Sequence, residues 1–435
     1  MTAASPSLKP AKGAYYTLSV LFLVLCFSVT DRYLLSILLV PIQDEMQVSD
    51  TAMGFLTGLA FAVFHSLADI PLARVADRSS RRNLIAISIA VWSVLTALQG
   101  LARSFASLAL ARVGVGIGEA AASPSAHSML SDLFPPERRG TAIAIFTMGG
   151  HLGIVVGMAM GGWLNDAYGW RATMIAIGLP GLAVALLVRF SVKEPERGAI
   201  EGRQVEHETP SLSTVFRWLW EQHSFRHLFS ALPLFVITSY AINTWGPTFM
   251  IRVHDMTISE VGLWFGLISG ISGAAGTLVG GHVCDRLGTR DMRWYLWLPA
   301  LAALAAIPFC LGFLFAPNSR LALICLAPMV FLCSSYIAPI YALTQGLAGL
   351  RMRAMASAVT HLGSSVLGAG VGPQLIGALN DGLSPYAGDE AIRYSLLLIV
   401  ITNAWGALHA RLATRSLRED LARADERAVP GRNLA

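Results

Sequence analysis

The chain has 435 residues, 54% of them hydrophobic and only 14% charged, with a mean hydropathy of +0.57. A soluble domain carries about 25% charged residues, so the composition excludes a soluble globular protein and describes a membrane protein with many spans. The net charge of +5 does not indicate a nucleic-acid partner, because the basic residues fall where membrane topology places them.

Apolar stretches of spanning length recur twelve times, near residues 15–41, 52–74, 83–103, 106–131, 141–165, 171–191, 227–251, 260–283, 294–315, 320–345, 354–379 and 394–412. The opening MTAASPSLKPAKGAYY has two lysines, but the apolar run after it is too long for a signal-peptide core and no small-residue cleavage site follows. The first span is therefore expected to be retained. Within it, VTDRYLLS sets Asp31 and Arg32 side by side. Each charge costs roughly 2.5–3.5 kcal/mol at the centre of a membrane helix, so both need partners or a task. The second span offers Phe61 and Phe64, which would suit a lipid tail, and the odd acid Asp69. Its end, ARVADRSSRR, places Asp77, Arg78, Arg81 and Arg82 at the membrane edge. Arg81 and Arg82 read as topological anchors, whereas Asp77 is harder to explain that way.

The fourth span carries Arg112 and Glu119. Seven positions apart, they share one helix face, about 10 Å from each other along the axis. Glu119 and Asp31 lie at similar depths. The four charges sum to zero, which lowers the cost of burial if they pair. Two readings stay open: an ion-pair network that holds the first and fourth spans together, or carboxylates that exchange a proton. In the second, proton affinity depends on whether an arginine holds the carboxylate or a substrate anion, and that dependence is coupling. Glu119 and Asp31 are then the protonatable pair, Arg32 a partner or anion contact, and Arg112 the modulator of Glu119. GVGIGE in this span superficially resembles a dinucleotide loop, but no soluble strand precedes it.

The fifth span has Gly149, Gly153, Gly157 and Gly161 at four-residue spacing, and the eighth has Gly262, Gly266 and Gly270. Such tracks permit close backbone approach. The polar stretch 193–223 divides the chain into two six-span units, 1–192 and 224–418, with a tail at 419–435. In the seventh span, Tyr240, Asn243 and Trp245 precede Gly246-Pro247, where a helix break is expected to line a cavity. The tenth adds Tyr336 and Tyr341 around Pro339. These aromatics, with Arg32, Phe61 and Phe64, are the candidate substrate contacts. His65, His151 and His361 read first as hydrogen-bonded packing. The five cysteines have no ligand or disulfide spacing. No nucleophile–base pair or metal-ligand cluster shares a face, so neither an enzyme nor a cofactor is expected beyond coupling protons.

With the N-terminus inside, the inner loops collect most arginines, while the outer loops hold only Arg103, Arg171, Arg252, Arg320 and Arg393. Both termini and the linker are therefore expected in the cytoplasm. The halves also repeat: ARVADRSSRR matches GHVCDRLGTR, which carries Asp285, and GGWLNDAYG matches IGALNDGLS with its Asn-Asp pair 215 positions on. Two repeated six-helix units place a transport site between them.

The loop pattern around Asp77 and Asp285 resembles the G-x-x-x-D-R-x-G-R-R/K signature of the major facilitator superfamily, with Ala73 and Ser80 replacing glycines in the first copy. VTDRYLLSILL, Leu110–Gly140 and VKEPERG further resemble Spinster-type members of it. That resemblance implies an all-α fold of twelve helices in two pseudo-symmetric bundles working by alternating access. It implies a lysolipid, sphingosine phosphate or similar amphiphile as substrate, with proton coupling through Asp31, Arg32, Arg112 and Glu119. It also implies a gate of Asp77, Arg78, Arg82, Arg138, Arg139 and Asp285, with the fifth and eighth helices facing each other across the halves. The organic-anion/proton symporters for sugar acids share Asp-Arg in the first helix and a glutamate in the fourth, so a sugar acid is the alternative substrate. A monomer among membrane lipids, in a bacterial inner membrane, completes the expectation.

Overall fold

The computed structural model describes residues 10–197, 212–348 and 352–428, and their regular structure is helical throughout. Among the described residues, ten helical segments are long and apolar enough to cross a membrane, and two of them, Pro136–Ser191 and Met355–Ala413, have 56 and 59 residues. A crossing needs about 20 residues, so each of these two supplies a pair. The first turns back at Gly169 and the second at Gly388, both with positive φ (78° and 54°) that glycine adopts without penalty. Twelve spans result, six on each side of the linker.

Several spans are interrupted. The first is Ala14–Ile37 and Leu39–Met46, and the second is Asp50–Thr57 and Leu59–Arg78 with Gly58 between them. The fourth is Phe105–Glu119 and Ala122–Leu133, and the tenth is Ser319–Ser334 and Ile337–Ala348. The eleventh loosens into a π-helix over Ser365–Gly370. The seventh corrects the expectation of a break: His223–His254 is one helix through Pro233 and Pro247. A proline removes one N–H, and in a packed bundle neighbouring groups absorb that loss.

Packing of the buried side chains shows how the halves meet. At the face opposite the chain ends, one core joins both halves, running from Leu34, Ile42 and Met53 to Trp245, Phe249 and Phe313. Toward the face that carries both ends (the terminal face) each half has its own core. The halves are thus fused at the far face and diverge toward the terminal face. The linker helix Leu212–Glu221 docks on the second half, where Trp218 Nε1 donates to the carbonyl of Leu347. The tail helix Leu417–Ala428 docks there too, and its Asp420 accepts from the backbone and hydroxyl of Ser224.

The glycine tracks divide differently from expectation. Those of the eighth span do face the fifth: a methyl at Gly266 would sit 2.9 Å from Cβ of Met158. Gly149, Gly153 and Gly157 instead face the first span within their own half, where a methyl at Gly157 would sit 2.6 Å from the carbonyl oxygen of Thr30. Four-residue spacing keeps one helix face glycine-only, and in the fifth span that face is turned inward.

Candidate functional site

The four intramembrane charges converge as two ion pairs, crossed relative to the chain order. Arg32 Nε and Nη2 donate to Glu119 Oε2 at 2.9 and 2.7 Å, and Ser28 Oγ donates to the same oxygen at 2.8 Å. Arg112 Nη1 donates to Asp31 Oδ2 at 3.3 Å, and Thr96 Oγ1 donates to Oδ1 at 2.5 Å. Arg112, expected as the modulator of Glu119, makes its direct bond to Asp31. Neighbours on a helix point about 100° apart, so Asp31 and Arg32 must serve different partners. Both guanidiniums lie on Phe61, with Cζ 4.7 Å (Arg32) and 4.8 Å (Arg112) from the ring centroid, within cation–π range. Asp31, Arg112 and Glu119 are buried, and Oε1 of Glu119 has no hydrogen-bond partner among the described residues. The Arg32 side chain keeps 25% exposure.

That exposure is into a cavity of about 170 Å³ between the halves. Its first-half wall includes Arg32, Phe61 and His65, and its second-half wall includes Val236, Tyr240, Tyr336 and Tyr341. Arg32 is the one side chain of fixed charge in the described lining. Among the expected substrate contacts, Arg32, Phe61, Tyr240, Tyr336 and Tyr341 therefore line one cavity. Three others do not. Trp245 is fully buried in the far-face core, its Nε1 donating to the carbonyl of Pro373 at 2.9 Å. Asn243 turns onto its own helix, donating to the carbonyl of Ser239. Phe64 is exposed and outside the cavity wall. The unbroken seventh helix explains the first two: without a break, their face packs against neighbouring helices.

The repeated Asn-Asp motif closes the far face. Asp166 Oδ2 accepts from the backbone N–H and hydroxyl of Ser259, at the start of the eighth span. Asp381 accepts from the N–H groups of Asp50 (3.0 Å) and Thr51 (2.8 Å), at the start of the second. Each acid satisfies open N–H groups and opposes the positive end of a helix in the other half. Arg252 adds an ion pair to Asp50 at 2.8 Å and a bond to Gln43. These residues were not expected as a site; the repeat was visible, but not what it touches.

At the terminal face the expected gate residues make local bonds. Arg82 donates its side chain to Asn83, Arg138 to Tyr15 and Arg139 to the carbonyl of Ser131, while Asp285 accepts from Tyr295. Arg78 is exposed, and the side chain of Asp77 lies outside the described residues. The buried hub is instead Arg81, read earlier as a topological anchor. It pairs with Asp132 at 2.5 Å and Glu194 at 2.9 Å, and also donates to Ser128 and the carbonyl of Pro195. Glu194 accepts from the N–H of Arg82 and from Ser80 at the start of the third span, and Arg197 donates to the carbonyls of Ala76 and Ser79 at the end of the second. Acid and base thus sit at the helix ends that favour them. Partial burial opposes ionisation of Glu194, but bonds from Arg82, Arg81 and Ser80 outweigh it and hold the carboxyl below its ordinary range.

Residues 21–373 match the family described as Major Facilitator Superfamily. An MFS-type efflux pump of Mycolicibacterium smegmatis is 33% identical over 415 residues, covering 94% of this chain and 95% of that protein. A D-galactonate transporter of Escherichia coli is 25% identical over 397 residues, covering 86% and 91%. A crystal structure of a bacterial homolog of the human lysosomal transporter Spinster, inward-facing and unoccupied, matches with a TM-score of 0.85 at 27% identity, over 95% of this chain and 99% of that one.

Proposed function

The chain belongs to the major facilitator superfamily and is an integral membrane transporter rather than an enzyme, and from that premise we propose that it carries amphiphilic monoanions, of the lysolipid or sphingosine-phosphate type, by proton-coupled alternating access. One observation carries the reading: Arg32 stands in the wall of a largely apolar, aromatic cavity and is bonded to Glu119 behind it. One fixed cation facing apolar surface suits one anionic head with a tail.

Arg32 can serve either Glu119 or a substrate anion. A proton on Glu119 releases Arg32 to the cavity and leaves the cluster with one net positive charge, which a single anionic group neutralises. Conversely, an anion that draws Arg32 away leaves a buried carboxylate held by Ser28 alone. An uncompensated buried charge is costly, and taking up a proton removes it. Proton and anion therefore favour each other's binding, a coupling that is reciprocal by linkage. The Asp31–Arg112 pair remains as a fixed counterweight. The distribution of arginines supports a cytoplasmic terminal face; on that reading the cavity opens inward, and outward opening requires the far-face bonds to break.

A sugar acid is the second reading, favoured by the hydroxyl and imidazole groups of Tyr240, Tyr336, Tyr341 and His361 in the same cavity and by the likeness to a D-galactonate transporter. Proteoliposomes given a lysophospholipid or a galactonate under an imposed pH gradient separate the two. Lysophospholipid movement alone supports the lipid reading, galactonate movement alone replaces it, and pH-independent movement of either removes the coupling.

A further inference from the structure

We propose that His65, Asp69 and His361 form a transition-metal site that bridges the two halves across the cavity. Their ligand atoms lie within 4.8 Å of one another. His65 and Asp69 are one turn apart on the second span, and His361 comes from the eleventh. The inference does not depend on which substrate the cavity carries.

Hydrogen bonding fixes what the imidazoles offer. His65 Nδ1 lies 3.0 Å from the carbonyl oxygen of Gly116, and a carbonyl only accepts. Nδ1 therefore carries the proton, and in the neutral ring Nε2 presents a lone pair. That lone pair faces Asp69 Oδ1 at 3.9 Å, so two acceptors confront each other with no hydrogen between them. A cation relieves this. His361 Nδ1 lies 3.3 Å from the Tyr341 hydroxyl, which leaves its Nε2 free. Orientation of a ligating imidazole by a bond to its other nitrogen is the usual outer-shell arrangement of metal sites.

Two imidazoles and one carboxylate select a zinc-class or other late transition-metal dication over calcium or magnesium, which take oxygen ligands. Tetrahedral bonds of about 2.0–2.2 Å hold ligand atoms about 3.3–3.6 Å apart, so the site closes on an ion when its widest separation contracts by roughly 1.2–1.5 Å from the observed limit of 4.8 Å. Three protein ligands leave a position open to the cavity, through which the ion enters. Arg32, in the same wall, is neutralised by Glu119 and does not repel the ion as a free cation would. Because the ligands come from both halves, the complete site exists only while the halves keep this relationship. A bound ion therefore holds the cavity open to the terminal face and arrests the cycle.

The test is a titration of full-length, chelator-treated protein in nanodiscs with Zn²⁺ alone, by competition with a chromophoric chelator, and with Co²⁺ alone, by ligand-field absorption. We expect one ion per chain, a rise in melting temperature with Zn²⁺, and at least about a tenfold loss of affinity in Asp69→Asn and in His361→Gln. His361 is exposed, so His361→Gln should melt like the parent without metal. The competing candidate is the histidine pair His227 and His409, whose Nδ1 atoms are 3.1 Å apart. Binding that survives His361→Gln but disappears in His409→Gln overturns the proposal, as does the absence of saturable stoichiometric binding. Loss in His361→Gln with retention in His409→Gln supports it.

Discussion

Asp166 and Asp381 occupy repeat-related positions, and each accepts hydrogen bonds from backbone N–H at the start of a helix in the opposite half. The internal duplication of the chain has become a two-fold symmetric clasp, fifth span to eighth and eleventh to second. A carboxylate at such a helix start contributes about 0.5–2 kcal/mol. Asp166→Asn and Asp381→Asn should each shift the population toward a far face that is open, and the effects of separate clasps should add. Spin-label distances across the far ends of the second and eleventh spans would lengthen in each variant and more in the double; unchanged distances would mean the clasps do not hold the face shut.

The two buried acids should separate by phenotype. Glu119→Gln keeps an oxygen for Arg32 but cannot cycle a proton, so substrate exchange should persist while accumulation driven by a pH gradient disappears. Asp31→Asn leaves Arg112 as a buried charge without its counter-ion, a change that costs about 3–5 kcal/mol, and should lower the melting temperature strongly. If Asp31→Asn melts normally but loses coupling, the roles of the two acids are reversed.

Arg81 and Arg78, three positions apart, should behave oppositely. Arg81→Ala takes the guanidinium away from Asp132 and Glu194, leaves a buried hole, and should destabilise the first half by about 3–5 kcal/mol. Arg81→Lys should not rescue it, because one ammonium cannot span a forked set of partners. Arg78 is exposed, and its alanine variant should stay within about 0.5 kcal/mol of the parent. Equal melting temperatures for the two alanine variants would contradict this assignment.

Acid should weaken the same network in a defined direction. The folded carboxyl of Glu194 is held below its ordinary value of 4.5, so the folded state binds fewer protons there than the unfolded chain. Its contribution is complete above that ordinary value and is lost as pH falls through the lowered folded one. The gap in melting temperature between parent and Glu194→Gln should therefore be constant near neutrality and shrink in acid. A gap that widens in acid would reverse the sign.

Trp245→Phe removes a donor to the carbonyl of Pro373 without touching the cavity. It should cost about 1 kcal/mol of stability and leave KM unchanged, whereas Tyr336→Ala should raise KM. A raised KM in Trp245→Phe would return that residue to the substrate site.

Spans, halves and linker could be read from the chain because a bilayer dictates how long and how apolar a crossing must be. The charged quartet could be read for the same reason: each charge there is costly enough to need an explanation. What each charge holds could not, although the angle between Asp31 and Arg32 already required separate partners. Arg81 looked like any positive residue at a membrane edge because burial leaves no mark on an arginine's identity. Its partner Glu194 lies in VKEPERG, a motif noticed without its contacts. Asp166 and Asp381 were visible as a repeat, but their meaning depends on which helix starts beside them in the other half. His65 and His361 looked solitary because they lie almost 300 positions apart and meet only in the fold.

The cavity's one fixed charge and the acids behind it belong to the first half, while the second half presents neutral surface such as Val236, Tyr240, Tyr336 and Tyr341. On the proposed function, energy conversion and molecular taste are thereby housed in separate modules. A lineage, or an engineer, can reline the second module for a different cargo without disturbing the ionic machinery of the first.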